Sequence, residues 1–84
     1  MAVQYESVSV TTTATRLSAD DPNAQSILFN APAVVYLGPA GVTSATGYAV
    51  TPGVDYAFDL GDDDDLYAIT ASGTVVVPVL RTGV

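Results

Sequence analysis

The densest concentration of chemistry-bearing side chains in this sequence is Asp62, Asp63, Asp64 and Asp65, four carboxylates in succession. Like charges so close repel one another, and a hard cation such as calcium relieves the repulsion by taking oxygen ligands. Asp55 and Asp59 lie on the outward parity of the preceding run and are placed to add ligands. The spacing departs from an EF-hand loop, which alternates its ligand positions and holds a glycine inside the run. Adjacent residues of an extended loop also point opposite ways, so consecutive carboxylates converge poorly on one ion. The run is expected to be a solvated acidic tip, with a calcium site as the alternative.

No other chemistry has the residues it needs. The chain holds no histidine, no cysteine and no lysine, which removes the commonest general base, the thiolate nucleophile and the amine nucleophile. Without Cys and His the usual zinc ligand sets are excluded, and no disulfide can form. A pair of carboxylates can hydrolyse a glycoside only when held apart across a cleft, and so short a chain with short connections offers little room for one. Gly38-Pro39-Ala40-Gly41 is not followed by a lysine, so it is no phosphate-cradling loop. The sequence therefore points away from an enzyme and implies no cofactor. Four tyrosines, Tyr36, Tyr48, Tyr56 and Tyr67, could stack on sugar faces. Strand tyrosines more commonly pack in a core or a subunit interface with the hydroxyl at its edge. Arg16 and Arg81, the two cations of an acidic chain, are expected to pair with carboxylates of their own or a neighbouring subunit. Together with Tyr36 and Tyr48 they are the interface candidates.

Charge narrows the partners. A net charge of −7 disfavours nucleic acid, whose binding rests on Lys and Arg clusters, and disfavours an anionic membrane surface. No apolar run approaches a membrane span. The start Met1-Ala2-Val3-Gln4-Tyr5-Glu6 lacks the basic and apolar regions of a signal peptide, which predicts synthesis and folding in the cytoplasm. Charged residues make up 13% of the chain and apolar ones 49%, whereas an average soluble domain is about 25% charged. So neutral an exterior, on a chain of 84 residues without disulfides, is explained by cover from partners, with a surface solvated by its plentiful Thr, Ser, Asn and Gln as the alternative. Oligomerisation or docking is the stabilising device left to a domain this small.

The elements that must position these residues are strands. Val, Thr and Tyr recur in short runs between Pro22, Pro32, Pro39, Pro52 and Pro78, and no helical period survives three turns. Val3–Val10 changes apolar parity between Tyr5 and Val8, which predicts either a bulge near Glu6 and Ser7 or a disordered start. Thr11–Leu17 favours strand, and 18–23 is a polar loop. Gln25–Asn30 and Ala33–Leu37 read as a hairpin around Asn30-Ala31-Pro32, and Val42–Thr46 as a connection able to hold a short strand. Gly47–Val50 precedes Pro52-Gly53, the signature of a type II turn. In 54–60 the alternation is the cleanest of the chain, with Val54, Tyr56, Phe58 and Leu60 facing a core. Leu66–Ala71 and Thr74–Leu80 read as a second hairpin turning at Ser72-Gly73. Pro78 marks the last strand as an edge, or as kinked at that point. The expected architecture is all-β, a compact antiparallel sandwich or small barrel of about seven or eight short strands. Residues 1–20 form an N-terminal arm or strand able to dock elsewhere, and residues 21–84 form the sandwich of a single domain.

The succession Leu28-Phe29-Asn30, Val34-Val35-Tyr36-Leu37-Gly38, Gly41-Val42-Thr43, Gly47-Tyr48, Pro52-Gly53, Phe58-Asp59-Leu60, Asp65-Leu66-Tyr67-Ala68 and Ser72-Gly73-Thr74 resembles small β-rich structural proteins of tailed bacteriophages. The resemblance runs from residue 26 to about residue 84. It implies a virion component on the capsid exterior, made in the host cytoplasm: a capsid decoration protein that binds the major capsid protein of the assembled head and reinforces it. It also implies a homo-oligomer, with trimers common among decoration proteins. A head fibre base, a tail or neck accessory protein, and a host-surface or carbohydrate-binding module on the virion are the alternatives. The matching residues form turns and strands and carry no catalytic role across.

Overall fold

A computed structural model of the chain describes residues 3–18, 24–62 and 64–83. It is all-β, with eight strands in two four-stranded antiparallel sheets stacked as a small sandwich. The first sheet runs β1 (Val3–Val10), β8 (Val75–Thr82), β3 (Gln25–Asn30), β6 (Asp55–Leu60). The second runs β2 (Thr15–Arg16), β7 (Tyr67–Ile69), β4 (Tyr36–Gly38), β5 (Tyr48–Ala49). Its Cα radius of gyration of 11.8 Å matches the roughly 12 Å of a compact chain of this length. No described helix is long and apolar enough to cross a membrane.

The core follows from alternation. In the first sheet Val8, Val10, Ile27, Phe29, Val77 and Val79 point inward and are buried, and Val8 stands opposite Val77 while Phe29 stands opposite Val79. Tyr56 and Phe58 of β6 stack on Phe29 with ring centroids 5.7 and 6.0 Å away. Leu17, Val35, Leu37, Val50 and Ala68 close the core from the side of the second sheet. Each fully buried Val, Leu, Ile or Phe contributes about 1.5–3 kcal/mol of transfer free energy.

The path between strands differs from the sequence reading. Among the described residues, six of the seven steps between consecutive strands lead from one sheet to the other, and β4 and β5 are the only consecutive strands that pair. The expected hairpin of Gln25–Asn30 with Ala33–Leu37 does not form. Buried Ala31 and Val35 lead the chain across the core, and Gly53 N–H donates to the Ala31 carbonyl while Val50 N–H donates to that of Val35. Two sheet-crossing links thus supply each other's backbone partners, as buried peptide groups require. The second expected hairpin is likewise a crossing, since β7 pairs with β2 and β4 while β8 pairs with β1 and β3. Thr70 fixes it, donating its hydroxyl to the Gly73 carbonyl and its N–H to the Thr11 carbonyl. Pro78 stands in an interior strand rather than at an edge. The β8–β3 ladder runs only from Val79 to Thr82, so the proline lies just beyond it.

Two further expectations change. No bulge interrupts β1, whose register with β8 is continuous from Val3 opposite Thr82 to Val10 opposite Val75. Residues 42–46 are the expected connection, but without the short strand it has room for: it is a turn closed by Thr43 and Thr46, whose hydroxyls lie 3.0 Å apart. That turn folds back over the second sheet and seats Val42 in its surface, where a Cβ on Gly38 or Gly47 would meet Val42 Cγ2 at 2.7 or 2.9 Å. Thr51–Val54 is the expected turn, with Gly53 at φ 79° and Val54 N–H directed to the Thr51 carbonyl. Residues 3–10 and 15–16, in the segment read as an arm or strand, are strands of the sandwich itself; the 18–23 loop lies mostly outside the described residues.

Candidate functional site

Alternation also builds the outer face of the first sheet, and there it puts apolar residues into water. Tyr5 stands opposite Leu80, Leu80 opposite Leu28, and Leu28 opposite Ala57, one apolar row across all four strands. Tyr5 is 64% exposed, Leu28 42% and Leu80 37%, and Val3 and Val76 extend the patch. Hollows of about 280 and 250 Å³ flank Leu28 and Leu80, one toward Tyr5 and Pro78, the other toward Ala57 and Asp59. Small polar residues and carboxylates rim the row. Asp55 accepts a hydrogen bond from Asn30 Nδ2 at 2.8 Å, and Asp59 accepts one from Ser26 Oγ at 2.7 Å. A contiguous apolar strip with a polar rim is the anatomy of an interaction surface.

A second concavity lies at the open side of the sandwich, where β5 and β6 are the edges of their sheets. It measures about 380 Å³ and is lined by Leu37, Gly38 and Tyr48 from one sheet, Tyr56, Ala57 and Phe58 from the other, and Leu66. Tyr56 holds its own place by accepting a 2.8 Å hydrogen bond from Thr51 N–H.

The acidic run spreads out instead of gathering. Asp62 Oδ1 accepts from Ala24 N–H, and Asp64 Oδ2 accepts from Gly61 N–H. Asp65 takes the Ser18 hydroxyl at 3.1 Å and lies 3.5 Å from Arg16. Asp63 lies outside the described residues, and among the described residues no group of three or more acids is placed to hold a metal ion. Asp62 and Asp65 tie this acidic stretch to neighbouring segments, while Asp64 closes it locally on Gly61.

The interface candidates occupy separate places. Arg16 lies over the Tyr67 ring, 5.5 Å from its centroid, and donates to the Tyr67 hydroxyl at 3.0 Å. Arg81 is buried, donating from Nε to the Leu17 carbonyl at 2.8 Å and from a terminal nitrogen to Gln4 Oε1 and Glu6 Oε1. Tyr36 packs beside Gly47 on the second sheet, and Tyr48 is 68% exposed at the mouth of the cleft. The four tyrosines thus do not make one sugar-stacking face: Tyr48 and Tyr56 meet in the cleft, while Tyr36 and Tyr67 are elsewhere. The sequence reading missed Leu28 and Leu80. Their signal was the apolar character of both parities in Ser26-Ile27-Leu28-Phe29 and Val75–Leu80, together with the parity change in β1.

Fold and surface define a small antiparallel β-sandwich with an apolar outer face. Comparison with protein-family models, with curated proteins and with solved structures finds no match for this chain.

Proposed function

We propose that this chain is a structural, non-enzymatic subunit of a virus particle, a head decoration or accessory protein of a tailed bacteriophage, docking through the outer face of its first sheet. The apolar row Tyr5–Leu80–Leu28–Ala57 carries the reading, because an acidic domain gains nothing from exposing it unless a partner covers it. The low charge of the chain and its resemblance to small phage β-proteins support the same reading. The partner is the major capsid protein of the assembled head, the site of action is the capsid exterior, and the subunit works as a homo-oligomer, a trimer.

Co-sedimentation with expanded capsids tests the docking. Stoichiometric binding is expected for the wild-type chain and its loss for Leu28→Asp, with far-UV circular dichroism showing the variant folded. No binding by the wild-type chain defeats the proposal. Light scattering after size exclusion tests the oligomer, and a monomer at micromolar concentration removes that part.

A further inference from the structure

We propose that the open edge of the sandwich, strand β6 with the cleft behind it, receives an extended segment of another protein in which basic and apolar residues alternate. Among the described residues β6 pairs with β3 alone. Its other side therefore offers the backbone groups that an added antiparallel strand would use.

Side chains of such a strand would alternate between two unlike environments. One parity enters the cleft between Tyr48, Leu37 and Leu66 on one side and Tyr56 and Phe58 on the other. Its volume of about 380 Å³ is more than twice the roughly 150 Å³ that houses a single benzene-sized group, so it takes two apolar side chains. The opposite parity lies beside Asp55, Ala57 and Asp59 on the outer face. Each of these aspartates uses Oδ1 toward β3, leaving its second oxygen for a cation on the strand alongside. Opposite charges directly across a strand pair stabilise, and like charges there destabilise.

Charge decides whose strand this is. A second copy has only Arg16 and Arg81 to offer, and both are held inside their own chain, Arg16 by Tyr67 and Asp65 and Arg81 by Leu17, Gln4 and Glu6. No segment of this sequence alternates basic and apolar residues, so the strand belongs to a different protein.

A nitrogen-15 NMR titration of the full chain tests this, using a short acetylated and amidated peptide that alternates lysine and valine. Its control is the isomer with all lysines ahead of all valines, which has the same charge and composition. Saturable shifts are expected at residues 55–60, Tyr48 and Leu66 with the alternating peptide, and weaker ones with the isomer. Tyr48→Ser, at an exposed position, should weaken binding roughly fivefold, and Asp55→Asn combined with Asp59→Asn by a similar factor of about five. Equal affinity for both peptides, shifts centred away from β6, or no saturation overturns the proposal. Capsid co-sedimentation reads the outer face and this titration reads the β6 edge, so either can fail alone.

Discussion

Replacing Arg81 with methionine should cost about 3 kcal/mol, most of it from one carbonyl. The Arg81 side chain is 3% exposed and its Nε donates to the carbonyl of Leu17, itself fully buried. Methionine keeps the stem but leaves that carbonyl dry and without a donor, a loss of about 1.5–3 kcal/mol for a bond to a charged group. The partly buried bond to Gln4 adds roughly 0.5–1 kcal/mol. The Glu6 contact, although 2.8 Å long, adds little, because the Glu6 side chain is 58% exposed and solvent screens it. Swapping a buried charge for an apolar group is harmless when its partners are swapped too, but a main-chain carbonyl cannot be. For a domain of 84 residues, whose whole stability is on the order of 4–13 kcal/mol, the loss is large. Urea unfolding followed by far-UV circular dichroism measures it, with a midpoint lowered by about 2–3 M for a slope near 1 kcal/mol/M. Glu6→Gln should cost under about 0.5 kcal/mol. The reasoning fails if Arg81→Met unfolds with the wild-type midpoint, or if Glu6→Gln costs as much as Arg81→Met.

Other expected outcomes rest on separate contacts. Gly47→Ala should destabilise by about 1–3 kcal/mol, because its Cβ would come within 2.6 Å of Tyr36 Cβ; thermal unfolding reads this. Gly38→Ala should be partly relieved by Val42→Ala in the same chain, a coupling visible in a double-mutant cycle, since Val42 is what the new methyl meets. Phe29→Ala removes the ring that Tyr56 and Phe58 stack on and should cost about 3–5 kcal/mol, leaving little folded protein by circular dichroism. Calcium titration calorimetry should give no saturable heat at millimolar metal, because Asp62, Asp64 and Asp65 face different partners.

Local chemistry was legible wherever it was decided locally. The alternation of 54–60 and the turn at Pro52-Gly53 could be read from residue types alone, and with them the all-β class, although Val54, expected to face the core, is 45% exposed. Strand pairing could not. Ser72-Gly73 satisfies the backbone of a tight reversal whether the chain returns within one sheet or steps into the other, and the long-range strand partners, β2 and β4 for β7 but β1 and β3 for β8, separate the cases. Pro78 misled for a similar reason, since a proline is tolerated in an interior strand just past the end of one ladder. The parity change of β1 was visible but reads as a bulge or a disordered start, not as an outward-facing apolar pair. A bulge would have turned Val3 and Tyr5 inward, whereas the continuous register leaves them outside.

Whether that outer face serves a partner can be tested on two neighbouring residues of β3. Ile27 and Leu28 are similar in size and adjacent in sequence, yet Ile27 is 2% exposed and Leu28 42%. If the outer row exists for a partner, function and stability must separate across this one peptide bond. Ile27→Ala should cost about 2–5 kcal/mol, transfer and cavity terms together. Leu28→Ala leaves no cavity and forfeits only the half-burial of its side chain, about 1 kcal/mol. Docking on the assembled head should show the reverse order, with Leu28→Ala weakened and any residual folded Ile27→Ala binding normally. Urea midpoints and co-sedimentation of both variants decide it. Equal stability losses would make Leu28 a core residue and remove the observation on which the docking reading stands.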